Sequence, residues 1–217
     1  MPWDRIHVIP GGVDCNRFAI DASRAECRAR LGWPVDRRIV LCVRRLTHRM
    51  GLSQLVASVS ALRQRVPDVL VLIAGQGPLE AELHTQIQRA GLEAHCRLAG
   101  FISEDDLPSA YRAADLTVVP SVALEGYGLI VPESLAAGTP ALVTPVGGLP
   151  ETVEGLPGRL VFTDASAPAI AQGLGDALTG AVPLPSTDEC RAYARRRNDW
   201  PVVAEQVRHV YEGVRRP

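Results

Sequence analysis

No lysine occurs anywhere in this chain; all 23 of its basic residues are arginines. Any phosphate-binding cation must therefore be a guanidinium. Against 24 acidic residues the formal charge is only −1, which excludes a general polyanion binder, since that role needs a basic surplus. Aromatic residues are scarce, at 5%, and no stripe of them interleaves with basic residues, so no nucleic-acid partner is expected. No apolar run approaches the ~20 residues needed to cross a bilayer, and the start has no signal-peptide pattern. A soluble, cytoplasmic protein is expected. The five cysteines (Cys15, Cys27, Cys42, Cys96 and Cys190) lie far apart, with no C-x-x-C pair and no histidine at ligand spacing, which predicts reduced thiols and no metal centre. A D-x-D motif is also lacking, so no metal-bridged diphosphate is expected.

What is present is a core-forming chain, 47% hydrophobic over 217 residues, suited to one large α/β domain. Short apolar runs at 39–43, 69–74, 96–99, 116–119, 141–144 and 160–162 read as strands. Helical spacing at 53–65, 79–90, 104–114, 128–137, 188–196 and 201–214 alternates with them, and Ser103 to Asp106 reads as a capping box. Such alternation predicts a Rossmann-like parallel sheet with helices on both faces. Ligands of open parallel sheets bind beyond the carboxyl ends of the strands. The glycine-bearing loops after residues 43, 73, 99, 119 and 144 share that rim.

The segment Glu125-Gly126-Tyr127-Gly128-Leu129-Ile130-Val131-Pro132-Glu133 sets two carboxylates eight residues apart around a glycine turn and a predicted helix start. Amides of a first helical turn have no internal partners, so a diphosphate can approach the backbone there. The acceptor oxygens of Glu125 and Glu133 suit hydroxyl pairs, one carboxylate for a sugar ring and the other for a ribose.

These residues resemble the E-x7-E signature of retaining glycosyltransferases of the GT4 (group 1) family, which have the two-domain GT-B fold. The resemblance extends from Ile9-Pro10-Gly11-Gly12-Val13-Asp14 through Arg45-Leu46, Ala74-Gly75-Gln76-Gly77-Pro78, Gly100-Phe101 and Pro120-Ser121 to Gly138-Thr139-Pro140 and Gly147-Gly148-Leu149-Pro150-Glu151. It implies the C-terminal, donor-binding half of such an enzyme: an incoming interdomain segment at 1–15, a nucleotide-sugar-binding domain at 16–182, and closing helices at 183–217 that run back toward an N-terminal acceptor-binding domain, in cis or in trans. By itself the chain is then expected to transfer no sugar. A free-standing or degenerate nucleotide-sugar-binding module, or a subunit of a split enzyme, is the other reading. The donor substrate is a nucleotide-diphosphate sugar, no cofactor is implied, and this half indicates no membrane contact.

By resemblance, Glu125 contacts the transferred sugar or steadies charge at its anomeric carbon, and Glu133 holds the ribose. Arg45 and the loop Gly126, Tyr127, Gly128 and Leu129 receive the diphosphate. Phe101 stands at the rim of the base pocket, while Gly75 and Gly77 serve either nucleotide contact or chain reversal. The family's second phosphate cation, a lysine, is replaced by Met50. Either Arg49 supplies that charge, or Arg49 is a solvated residue and Arg45 acts alone.

Overall fold

Four of the apolar runs form strands that are buried along almost their whole length, and the sheet is the reason. A computed structural model describes residues 6–215; residues 1–5 of the expected incoming segment and 216–217 of the closing one lie outside the described residues. Strands β1 (Arg38–Val43), β2 (Val69–Ala74), β3 (Cys96–Gly100), β4 (Leu116–Val119) and β5 (Ala141–Val143) make one parallel sheet in the order β3-β2-β1-β4-β5. Strands covered on both faces need apolar side chains at successive positions, and the inner strands β2 and β4 and the edge strand β5 are buried throughout. At the other edge, β3 buries only Cys96 fully, and along the rest exposed residues alternate with partly buried ones.

The helices are α1 (Cys15–Phe18), α2 (Arg24–Leu31), α3 (Leu52–Arg65), α4 (Glu80–Arg89), α5 (Leu107–Ala113), α6 (Ile130–Ala136), α7 (Ala167–Leu178), α8 (Thr187–Arg197) and α9 (Trp200–Arg215). Helix α3 packs with α4 and α7 on one face, while α5 and α6 pack with α1, α2 and α8 on the other. The expected fold class is therefore the observed one. Helices α1, α2 and α7 were not expected, although α2 carries its own signal: the Ser23 side chain caps the Glu26 amide, the Glu26 side chain returns to the Ser23 amide, and Gly32 ends the helix at φ 66°. The expected strand at 160–162 is a single parallel bridge between Val143 and Val161. Two helices begin later than expected, at Leu107 and Ile130. Ser103 does cap the Asp106 amide at 3.1 Å, but 104–106 form a turn.

One buried ion pair fastens the helical layer to the sheet. The guanidinium of Arg28 donates to Asp115 Oδ2 at 2.7 Å and to the carbonyls of Ala113, Val35 and Arg37. Asp115 Oδ2 also accepts the Ile39 amide at 2.7 Å. A single arginine thus joins α2 and the end of α5 to the start of β1. Arg24, more exposed, reaches the other oxygen of Asp115 at 3.3 Å, so Asp115 keeps one partner without Arg28 but loses the buried one; breaking a buried pair costs about 3–5 kcal/mol. Arg28→Ala is expected to lower unfolding stability by that amount in urea titrations; a loss under ~1 kcal/mol, the scale of an exposed pair, would show that the cluster does not fasten the layers.

Candidate functional site

Between β1 and β4 the strand order reverses: the chain leaves β1 toward β2 and later returns on the other side to β4. Crevices in open parallel sheets lie at the carboxyl ends of such a pair. The two loops that face each other here are 44–51, after β1, and 120–129, after β4.

At the end of β1, successive side chains take opposite sides. Arg44 is buried and Arg45 is exposed. The Arg44 side chain retains only 6% of its exposure. Its Nη2 donates to Ser121 Oγ at 2.7 Å, lies 2.6 Å from Met50 Sδ and forms an ion pair with Glu125 Oε2. Ser121 Oγ donates to the same Oε2 at 2.8 Å. Burial alone would push the Glu125 carboxyl up, but the Arg44 guanidinium and the Ser121 hydroxyl hold it below the ordinary glutamate range. Both protein donors use Oε2, and no donor among the described residues reaches Oε1.

Met50 ends a short 3-10 turn, His48–Met50, and is buried against Arg44. Arg49 on the same turn is exposed, and its Nη1 donates to the Leu124 carbonyl at 3.0 Å. The Arg49 carbonyl accepts the Val122 amide at 3.0 Å. Residue 49 thus clasps the loop that carries Glu125 at two points. Leu124 needs the clasp: among the described residues it is the non-glycine with positive φ, at 52°, a left-handed conformation costing about 1–2 kcal/mol.

Two glycines hold this rim by letting backbone meet backbone. A Cβ at Gly147 would lie 1.8 Å from the Glu125 carbonyl oxygen, and one at Gly75 would lie 1.9 Å from that of Arg44; both have positive φ. Gly75, with Gly77 against Leu46, therefore supports the arginine loop from beneath. Above Gly147, the amides of residues 126–130 have no backbone acceptor among the described residues. The Tyr127 hydroxyl accepts a hydrogen bond from Asn198 Nδ2 at 2.6 Å, the same group that donates to the Gly11 carbonyl at 3.0 Å. Leu129 is half-exposed beside Gly11.

Glu133 is the fourth residue of α6. Its Oε2 accepts the hydroxyl of fully buried Tyr111 at 2.8 Å. Tyr111 is itself held by a tilted ring contact with Phe18, 5.9 Å between centroids, and by Thr139 Oγ1 on its carbonyl at 2.8 Å. Burial pushes the Glu133 carboxyl above its ordinary range, against the pull of that hydroxyl. Burial, with the neighbouring glutamate, drives Tyr111 well above a usual phenol, so it remains a donor. Each glutamate is thus anchored through Oε2 from inside.

The structure brings Glu125, Gly126, Tyr127, Gly128, Leu129 and Arg49 into one loop cluster. Phe101 is 68% exposed at the end of β3, two strands from β1. Arg44, Ser121, Tyr111 and Asn198 were not anticipated. The Arg44-Arg45 doublet at a strand end carried a signal, because alternation buries one of two neighbours; a tyrosine on a helix carried none. A cavity of about 680 Å³ lies between α1, α2 and α5; Arg17, Asp21, Glu26 and Glu104 line it, and none of the expected site residues does, although the charges of Glu104 and Arg17 act on Glu133.

The model of the family described as Glycosyl transferases group 1 matches residues 23–197. A GDP-mannose-dependent alpha-(1-6)-phosphatidylinositol monomannoside mannosyltransferase of Mycolicibacterium smegmatis is 35% identical over 186 residues, 82% of this chain and 48% of the relative. A phosphatidyl-myo-inositol mannosyltransferase of the same organism is 35% identical over 215 residues, 95% of this chain and 51% of the relative. Among solved structures, Anabaena HepE in complex with UDP-glucose superposes with a TM-score of 0.77 at 26% identity, covering 96% of this chain and 57% of that one. The chain spans about half the length of the curated relatives it matches.

The raised Glu133 carboxyl makes a stability prediction. Folded Glu133 binds its proton more tightly than unfolded Glu133, so the stability linked to that group is fully present below the ordinary value of 4.5 and is lost as pH rises through the folded value. Urea midpoints of the wild type and Glu133→Gln, followed from about pH 4 to 7, should diverge in favour of the glutamine variant as pH rises. A constant difference would mean that Glu133 is not held in a desolvated state.

Proposed function

The chain belongs to the group 1 glycosyl transferase family, and on that premise we propose that it is the donor-binding half of a retaining glycosyltransferase whose substrate is a nucleotide-diphosphate sugar. The observation that carries this reading is the matched pair of glutamates. Each has one oxygen anchored by an internal hydroxyl or guanidinium and the other without a protein donor, with unbonded loop amides between them. Such an array suits a ligand with hydroxyl pairs at two ends and phosphate in the middle.

In this reading Glu133 accepts the ribose hydroxyls, and the amides of 126–129 meet the diphosphate together with exposed Arg45 and Arg49. Arg49 keeps Nη2 and Nε for phosphate while Nη1 holds Leu124. Glu125, kept ionised, faces the transferred sugar and stabilises positive charge developing at its anomeric carbon. Attack comes from the face the leaving phosphate departs, so configuration is retained without a covalent sugar on the protein. The name of one relative makes GDP-mannose the first donor to test. HepE makes UDP-glucose the second.

The acceptor and the other wall of the cleft come from an N-terminal half, in cis or in trans, so this chain alone binds donor and transfers nothing. Exposed Trp200, Val207 and Tyr211 on α9 and Val8 on the incoming segment support a partner surface there; α8 instead packs on α6 of the same unit. The five free, buried cysteines, four of them with thiols pushed up to about 12 by burial, support a reducing compartment such as the cytoplasm. Among the described residues no helix is long and apolar enough to cross a membrane. A binding module without transfer activity is the second reading, favoured by the apolar residue at 50; supplying the N-terminal half and finding sugar transfer would dismiss it.

Two predictions test the assignment by calorimetry with nucleoside diphosphates and their sugars. Glu133→Ala should weaken binding of the free nucleoside diphosphate by about 1–3 kcal/mol, whereas Glu125→Gln should spare it and weaken the nucleotide sugar. Equal losses of free diphosphate in both variants would reverse the two roles. Arg49→Ala should lower diphosphate affinity by about 1.5–3 kcal/mol, the range for hydrogen bonds to charged groups, and leave nucleoside binding intact. If the variant binds the diphosphate as tightly as its parent, Arg49 serves the Leu124 loop alone.

A further inference from the structure

The buried arginine beside Glu125 has no part in the phosphate contacts just assigned. Its placement is costly: a guanidinium with 6% exposure, held through one nitrogen, with Nε buried and without a partner. A buried polar group left without a partner is rare in folded proteins and calls for a specific role. The three atoms around Nη2 are Met50 Sδ, Ser121 Oγ and Glu125 Oε2. Sulfur is a weak acceptor, so the carboxylate is the strong partner. Ser121 Oγ accepts from Arg44 and donates its hydroxyl hydrogen bond to that oxygen, and the Ser121 carbonyl accepts from Thr144 Oγ1 at 2.6 Å. Both donors act on Oε2 from the protein side.

We infer that Arg44 is a positioning residue for Glu125, gripping one carboxylate oxygen from within so that the other is presented at a fixed place to the donor sugar. The inference rests on the donor-binding reading for its ligand, though the pairing itself does not. Arg44 would act on sugar recognition and not on the diphosphate, which distinguishes it from its exposed neighbour Arg45. Met50 fits this role better than a cation would, because a lysine there would bring an ammonium against the buried guanidinium. The charged groups acting on Glu125 are Arg44 and, from the 3-10 turn, Arg49.

The test combines a carboxyl-carbon NMR titration of Glu125 with calorimetry, using GDP, GDP-mannose, UDP and UDP-glucose. In Arg44→Leu, Glu125 should titrate above the ordinary glutamate range instead of below it. Affinity for the nucleotide sugar should fall at least about tenfold, the scale of one charge-assisted hydrogen bond. The free diphosphate should be unaffected, and raising the pH should recover part of the loss. Arg44→Lys should restore part of both signals. Should Arg44→Leu fail to fold, Arg44→Gln, which keeps a donor but not the charge, is expected to show the same upward titration and the same selective loss.

An unchanged Glu125 titration in folded Arg44→Leu or Arg44→Gln would overturn the inference. So would an equal loss of free diphosphate and nucleotide sugar, which would make Arg44 a phosphate ligand. If the wild-type chain binds none of the four nucleotides, the donor-binding reading falls, and the titration still decides whether Arg44 governs Glu125.

Discussion

Backbone packed directly on backbone at the carboxyl ends of β1 and β4 sets the geometry of everything above it, because no side chain intervenes to absorb an error. Gly75 supports the carbonyl of Arg44 and Gly147 supports that of Glu125, at separations a Cβ would abolish. The two residues of the ion pair therefore start from main-chain positions fixed by contact. Hydrogen bonds from Val122 to Arg49 and from Arg49 to Leu124 then close the loop over them. A strained residue such as Leu124 persists only where its surroundings over-determine it.

The two glutamates have a common mounting and opposite electrostatics. Glu125 is anchored by a charge and is stabilised as the anion. Glu133 is anchored by a neutral hydroxyl in a desolvated setting and holds its proton more tightly than usual. The difference follows from the elements behind them: a strand end supplies arginine to one, and α5 supplies a tyrosine wedged against Phe18 to the other. Carboxylates of one type, eight residues apart, thus differ in how readily they accept protons as well as hydrogen bonds.

Much of the fold was legible because its central strands are buried on both faces and read as unbroken apolar runs between turns. The elements that were missed are governed by other signals. Helix α2 is mean-polar and announced only by the Ser23-to-Glu26 cap, and α7 begins at a proline after Ser166. At the site, the glycine turn and both glutamates were visible because few other roles place those residues in that order. Arg45 was read from the Arg-Leu pair as a phosphate contact, whereas the internal role of its neighbour Arg44 had no signal beyond the alternation that buries one of two adjacent residues. Tyr111 was illegible, since nothing along the chain ties residue 111 to residue 133 before the helices meet.

Arg44 and Arg45 are chemically identical and adjacent, and the alternation that continues past the end of β1 separates an internal strut from a surface cation. Substitution tables would treat the pair as interchangeable. A single inserted or deleted residue in β1 would swap their fates while leaving the composition of the segment unchanged, so the count of residues from β1 to the loop is as much part of the site's chemistry as the side chains themselves.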